Sequence, residues 1–446
     1  FSNFTALYSN YDYSLQFGRS DDDSFKWNSL ISNYIFKPQF TYFLNSNNEL
    51  NFGAEIIYYN FEPANTVAVS RNEESEPFSL SKKYNLETSI YLSNSQKISN
   101  IFTIDYGIRY SLFNAFGPGK IFTYNDAVPG VRRDTLSSRQ YKSGEVIASY
   151  GNFEPRLSFK MQVNSTSSIK GSYNRMAQYL HLISNTTASN PLDVWSPSSN
   201  NIKPQLGDQY TIGFFKDLGK DRTYELSVEG YWKNTRNQID YVDGADLLIN
   251  KFIEGDLLSG EGRAYGLETY FQKKTGRFTG WVSYTLARTE LKVNGINQGN
   301  WYPTRFDQTH NLRVAAFYDI SKRWSFSANF VYTSGTPTTF PTSRYISQGI
   351  LIPYNGNDSR NNINIPDYHR LDVSFRLDGK KEKRGKVRKN SSYWVFGVYN
   401  LYGRQNPFSI YFSQKSVASN QPILSKATQL SIIGSVVPSI SYNFKF

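Results

Sequence analysis

Hydrophobic and polar residues alternate with a period of two along most of this chain, the pattern of strands that bury one face. In the stretch from Tyr224 to Trp232, one face carries Tyr224, Leu226, Val228 and Trp232, and the other carries Glu225, Ser227 and Glu229. Trp324, Phe326, Ala328, Phe330 and Tyr332 oppose Ser325, Ser327 and Asn329 in the same way. Leu371, Val373, Phe375 and Leu377 oppose Asp372, Ser374 and Arg376, while Leu157, Phe159, Met161 and Val163 oppose Arg156, Ser158, Lys160 and Gln162. The pattern predicts strands at about 1–18, 26–44, 49–62, 84–93, 100–115, 153–163, 167–179, 206–216, 222–242, 262–273, 277–291, 308–319, 323–335, 367–378, 391–402 and 428–446, roughly 16 in all.

Alternation alone also fits a soluble β-sandwich, so the connections decide. One set is short: 45–48, 94–97, 164–166, 217–221, 274–276 and 320–322. The other set is mostly long and polar, at about 63–83, 116–152, 180–205, 243–261, 292–307, 336–366 and 403–427. Short turns and long loops that alternate strictly are the mark of an antiparallel transmembrane barrel of the outer membrane, with turns on the periplasmic side and loops outside. A sandwich does not segregate its loops by parity. In hydrocarbon every backbone N–H and C=O has to be paired within the protein, so a spanning sheet has to close.

Composition fits that reading. Aromatic residues make up 16% of the chain and charged residues only 19%, against about 25% charged in an average soluble protein. Tyr58, Tyr59, Tyr110, Phe113, Trp232, Tyr241, Tyr318, Trp324, Tyr332, Trp394 and Tyr402 fall near strand ends, where amphipathic rings form interfacial girdles. No run approaches the roughly 18 apolar residues of a membrane helix. There is no cysteine, which rules out a disulfide framework or a thiolate metal site. The chain opens at Phe1 with neither a charged n-region nor an apolar h-region, so a signal peptide was removed or never belonged to this segment. The end, Val437 to Phe446, alternates to a terminal Phe, as an insertion signal for the barrel-assembly machinery does.

Little points to catalysis. His181, His310 and His369 stand at no zinc-ligand spacing; His310 and His369 start strands and read as structural rim residues. Asp21, Asp22 and Asp23 read as a solvated acidic turn, with calcium as the alternative. No phosphate loop, nucleophile elbow or catalytic carboxylate pair is found, so no cofactor and no enzyme activity are expected. The net charge of +12 is half accounted for by Lys380–Lys389, with seven basic residues and one acid. This run carries no nucleic-acid motif, so it reads as a solvated turn, a contact to anionic lipid headgroups or a periplasmic docking site. Binding is expected in the long loops, on Trp195, Trp301, Tyr302, Arg305, Tyr345 and Tyr354. His181, Asn185, Asn201, Phe340 and Asn355 lie in the same loops. Aromatic faces beside Asn side chains suit sugars, peptides and siderophores equally, and for any single residue the alternative is loop-to-loop packing that closes the barrel mouth.

Several segments resemble the C-terminal barrel of TonB-dependent outer-membrane receptors of the Bacteroidota. They are Tyr11 to Gly18, Phe52 to Glu55 through Phe61-Glu62-Pro63, Tyr106 to Ser111, Glu154 to Ser158, Lys203-Pro204-Gln205 leading to Tyr210, Gly262 to Glu268, Phe306 to His310 and Tyr368 to Asp372. The resemblance implies an N-terminal plug inside a 22-stranded barrel, with residues 1–446 supplying the last 16 strands as one barrel portion and the plug lying outside this chain. The parity agrees: a first strand that runs outward places the short turns on the periplasmic side. The implied function is capture of a solute at external loops and its import when TonB, contacted through the missing N-terminal part, remodels the plug. Outer-membrane lipid is then a partner of the wall. The alternatives are a docking barrel in a secretion, barrel-assembly or surface-lipoprotein complex, and a passive porin.

Overall fold

The computed structural model describes all residues except 18–24, 69–78, 127, 184–193, 246–249, 341, 342, 348, 349, 355–358, 381, 384, 385, 388, 389, 416–423 and 446. The predicted acidic turn (21–23), Asn185, Asn355, Phe446 and much of the basic run lie outside the described residues.

Among the described residues, sixteen long strands form one continuous antiparallel sheet, which the two-residue strand Tyr302–Pro303 joins. They are β1 (Ser2–Phe17), β2 (Phe25–Asn45), β3 (Asn48–Ala68), β4 (Lys83–Lys97), β5 (Phe102–Phe116), β6 (Val146–Asn164), β7 (Ser167–Gln178), β8 (Gln205–Leu218), β9 (Tyr224–Tyr241), β10 (Leu257–Lys273), β11 (Phe278–Val293), β12 (His310–Asp319), β13 (Trp324–Thr333), β14 (Tyr368–Asp378), β15 (Ser391–Tyr399) and β16 (Val437–Lys445). Each pairs with its neighbours in chain order. Among the described residues, β1 pairs only with β2 and β16 only with β15.

Each predicted strand is present, with shifted ends. β3 continues to Ala68 and β6 begins at Val146, so both run past the membrane span. The predicted turn at 94–97 is inside β4, where Gln96 faces Ile104 and Lys97 faces Thr103; the chain reverses at 98–101, closed by Ser99 N–H donating to the Phe102 carbonyl at 3.1 Å. The last strand starts at Val437, nine residues later than predicted, because Leu424–Leu430 pairs with Ser409–Lys415 as a loop hairpin. Short turns use side chains as the turn chemistry requires: the Asn45 carboxamide oxygen accepts from the Asn47 N–H (2.9 Å), and that of Asn164 from the Thr166 N–H (3.0 Å).

The two faces differ as the alternation predicts. On β5, Ile104, Tyr106, Ile108 and Tyr110 point outward, whereas Asp105, Arg109 and Ser111 line the inside. Outward rings meet across strands: Phe40 and Phe52 stack at 5.3 Å between centroids, and Trp394 and Tyr442 pack at 4.7 Å with their planes tilted by 42°. Three of the proposed girdle residues do not belong there. Tyr59 and Phe113 occupy inward positions and are buried, and Tyr241 packs into the loops. Tyr59 and Phe113 are each one residue from an outward position, and a one-residue step reverses the face; Tyr241 keeps the outward phase of its strand but lies beyond the bulge between Arg236 and Gln238, where the loops cover it.

Because the outer face meets lipid and the inner face is polar, buried apolar clusters form in and beneath the loops. Ile183, Ile202, Ile253 and Leu257 make one cluster, and Val242, Leu258, Val293, Ile296 and Tyr302 a second. Phe113 and Tyr179 stack at 4.8 Å with ring planes 4° apart. The loops thus fold into a cap with its own core, a feature that their polar composition does not announce.

Candidate functional site

The cap is built on two buried charges. Glu254, in the loop between β9 and β10, receives Lys83 Nζ on Oε1 at 3.0 Å, and Asn201 Nδ2 (2.6 Å) and Ser199 Oγ (3.4 Å) on Oε2. Arg133 Nη2 donates to its backbone carbonyl at 2.6 Å. Segments leading from β3, β5, β7 and β9 therefore converge on one carboxylate. Burial alone would raise its pKa, but Lys83, Asn201 and Ser199 outweigh burial and hold it below the ordinary carboxylate range. Tyr124 beside it is pushed up to about 12, first by burial and then by the Glu254 charge.

The second charge is Arg360, in the loop between β13 and β14. Its Nη1 donates to Asp240 Oδ1 (2.6 Å), and its Nη2 to Asp243 Oδ1 (2.7 Å) and the Tyr241 carbonyl (3.0 Å). The guanidinium lies 4.6 Å from the Tyr241 ring centroid. Tyr302 Oη donates to the other oxygen of Asp240. Burial opposes the Arg360 charge, but Asp240 and Asp243 hold its pKa above the usual value. The loops also touch backbone to backbone. A Cβ on Gly295 (φ +92°) would sit 1.9 Å from the Gly130 nitrogen, so both the turn and the contact require glycine.

Between these loops and the rim of β4 and β5 lies a cavity of 470 Å³ lined by Trp195, Phe122, Phe252, Lys120, Lys251 and Lys83, among others. Phe122 and Phe252 meet edge to face at 4.9 Å. Lysines outnumber carboxylates in its lining, so the cavity suits an apolar or aromatic solute that carries negative charge. On the inner wall of β2 to β6, Arg109 reaches Glu55 (2.8 Å), Glu87 (3.4 Å) and Glu154 (3.7 Å), and Lys37 reaches Glu55 (3.6 Å). A second cavity, of 590 Å³, opens beside Lys37, Arg109 and Arg156.

The predicted loop residues separate. Trp195 lines the cap cavity. Tyr302 is 1% exposed and serves as a strut for Asp240. Trp301 stacks on Arg263 at 4.2 Å, and the Arg305 guanidinium lies 4.5 Å over the Phe306 ring. Tyr345 and Tyr354 fall in a hairpin, Ser343–Ser347 with Ile350–Tyr354. His181 is buried, with Nε2 3.0 Å from Ser198 Oγ; burial, then Lys83, lowers its pKa to about 4. His310 and His369 stand at the rim, each with Nδ1 bonded to a tyrosine, Tyr284 at 2.8 Å and Tyr402 at 2.7 Å. Sequence reasoning missed Glu254, Arg360 and Lys83. A charged residue beside the apolar pair Phe252-Ile253 was the only signal for the first, and nothing marked the other two.

The family described as TonB dependent receptor-like, beta-barrel matches residues 1–401. Among solved structures, the ferric citrate transporter FecA in its unliganded form superposes with a TM-score of 0.62 at 14% identity, covering 100% of this chain and 59% of that one. BauA, the ferric preacinetobactin receptor from Acinetobacter baumannii, gives 0.57 at 15% identity, covering 100% and 60%. The ferric yersiniabactin uptake receptor FyuA from Yersinia pestis gives 0.61 at 12%, covering 100% and 59%. The chain thus spans about three-fifths of the length of these structures. No curated protein matches it.

Proposed function

Because the chain belongs to the TonB-dependent receptor-like β-barrel family and so forms a multi-pass barrel of the outer membrane, we propose that it is the solute-capturing wall and cap of an outer-membrane importer. Its 446 residues act as one barrel portion, the C-terminal part of a receptor of the type found in the Bacteroidota. Further strands complete the sheet, since β1 and β16 each have one partner among the described residues and an unpaired edge is not tolerated in hydrocarbon. The long loops face outward and the short turns face the periplasm, the arrangement usual for such barrels.

The observation that carries this reading is the cap: loops locked around Glu254 and Arg360 enclose an aromatic, lysine-rich cavity above a charged lumen. A solute held there, with Trp195 against its apolar surface and lysines against its negative charge, passes into the lumen when the plug moves under the action of TonB. Trp301 and Arg305 belong to neighbouring loops and shape the approach, whereas Tyr302 serves from the core as the strut that holds Asp240. The protein works by binding and passage, without a reaction.

The test is uptake by cells making the full-length protein from its own gene. Solutes that co-purify with it are identified by mass spectrometry and supplied in labelled form. Uptake that disappears on deletion of TonB, and falls in Trp195→Ala cells, supports the proposal. Uptake indifferent to TonB makes it a passive pore, and stoichiometric lipoprotein partners without any uptake make it an assembly subunit.

A further inference from the structure

We propose that Lys83, Ser199 and Asn201 form a carboxylate subsite of the cap cavity, where the carboxylate of Glu254 is exchanged for that of an acidic solute. The inference rests on the proposed role of the cap in solute capture and names the group by which the solute is held. The donors fit a carboxylate, because they hold one. Glu254 Oε1 takes the Lys83 ammonium at 3.0 Å, and Oε2 takes Asn201 Nδ2 at 2.6 Å and Ser199 Oγ at 3.4 Å. Each oxygen has its own donors, and the strongest of them carries a full positive charge.

This ion pair faces the cavity. Lys83, Ser196, Ser199 and Glu254 line the 470 Å³ space together with Phe122 and Trp195, and the Lys83 side chain keeps 26% of its surface open, that of Glu254 15%. The other lock of the cap is sealed: the Arg360 side chain is 7% exposed and lies against the Tyr241 ring, while Tyr302 covers the far oxygen of Asp240. A pair that served only to fasten loops calls for the same enclosure. Lys83 has three N–H donors, and Glu254 and Ser196 Oγ take two of them at 3.0 Å each. An incoming anion therefore meets Lys83 before Glu254 leaves.

The exchange needs no opening of the loop between β9 and β10. The Glu254 carbonyl accepts from Arg133 Nη2 at 2.6 Å, the Gly255 carbonyl from the Arg133 N–H at 3.0 Å, and Asp256 meets Arg132 at 3.3 Å. The backbone stays tied while the side chain turns to another rotamer, directed at the cavity. One set of charge-assisted hydrogen bonds replaces another, so the swap costs little for an acid. A neutral solute of the same shape cannot make it, because Lys83 would lose its counter-charge. The solute class is an ionised carboxylic acid on an aromatic or apolar body, which Phe122, Phe252 and Trp195 receive.

The experiment uses the full-length protein in detergent, with para-fluorobenzoate as the probe, followed by fluorine NMR, and para-fluorobenzamide as its uncharged counterpart. Glu254→Ala clears the subsite and is expected to bind the acid about tenfold more tightly than the parent does, the scale of one charged hydrogen bond. Lys83→Met added to Glu254→Ala should abolish that gain. The acid, and not the amide, should also slow proteolysis of the loop between β7 and β8 in Glu254→Ala, because it restores the anion that gathers Lys83, Ser199 and Asn201. Equal affinity for the acid in parent and variant, no binding in the variant, or a gain shared by the amide would overturn the proposal. Folding is checked by heat-modifiable migration, and Glu254→Gln, with a difference of the same sign, replaces Glu254→Ala if that fails to fold. The importer reading fails separately: uptake indifferent to TonB refutes it whatever the probe does, and a negative probe result leaves TonB-dependent uptake standing.

Discussion

Lys83 and Glu254 are separated by 171 positions in the chain, yet Lys83 Nζ lies 3.0 Å from Glu254 Oε1 and 3.0 Å from Ser196 Oγ. One ammonium group at the start of β4 thereby fastens two loops to the barrel rim. The charge of Glu254 is what draws the donors together.

Glu254→Gln keeps the size of the side chain and removes that charge. The cap is expected to lose about 1–3 kcal/mol of local stability, the usual cost when a largely buried charged hydrogen bond is broken, while the membrane sheet stays intact. Limited proteolysis should cut the loops between β7 and β8 and between β9 and β10 faster, with no change in heat-modifiable migration. Equal rates in variant and parent would show that the carboxylate does not hold the loops.

Acid should loosen the same region. Buried His181 stays neutral down to about pH 4, whereas the group in an opened loop protonates near its ordinary value of about 6.5. Between these values the open state binds a proton that the closed state refuses, so cap stability is complete above about pH 6.5 and is lost as pH falls toward 4, by on the order of 3 kcal/mol. Glu254, with its pKa lowered in the cap, contributes stability that is present above the ordinary carboxylate range and lost at still lower pH. Hydrogen exchange in the segment Leu180–Ile183 should accelerate across this window in the parent. In His181→Leu the upper part of the pH dependence should vanish.

The wall was readable from the sequence because burial on one face leaves an unmistakable period of two, and because lipid outside and water inside make both faces chemically distinct. The cap was not. Glu254 and Lys83 come together through loop folding, which has no period, and each is an ordinary charged residue in its own neighbourhood. Tyr302 illustrates the limit: as an aromatic in a long loop it reads as a binding residue, but the arrival of Asp240 and Arg360 from distant segments places it inside the core. The girdle residues Tyr59 and Phe113 fail for a smaller reason, a face assignment wrong by one position.

Arg360 is held by Asp240, Asp243 and the Tyr241 carbonyl, so its removal should be costly. Arg360→Met leaves Asp240 and Asp243 facing each other without a cation, a loss of about 3 kcal/mol or more for a buried pair broken on one side. The loop between β13 and β14 should become protease-sensitive and solute capture should fall. Tyr302→Phe removes one hydrogen bond to Asp240 and should cost about 1–2 kcal/mol, a smaller effect in the same assay.

Arg109 tests whether the lumen wall depends on a balance of charge. It stands within 4 Å of Glu55, Glu87 and Glu154; among the described residues Lys37 is the other cation on these acids, through Glu55, while Tyr59 and Ser111 donate hydrogen bonds to Glu87 and Glu154. Arg109→Met would leave three carboxylates on adjacent strands with one lysine, and like charges at that spacing repel. The barrel should convert to its unfolded form on a gel at a clearly lower temperature, by the equivalent of about 2–4 kcal/mol given that lumen water screens part of the repulsion. Arg109→Lys restores the charge but not the fork that spans three acids, so it should recover only part of the loss. Adding Glu87→Gln and Glu154→Gln to Arg109→Met removes the repulsion itself and should restore most of the stability. If the triple variant is no more stable than Arg109→Met, packing of the guanidinium and not charge is what the wall requires.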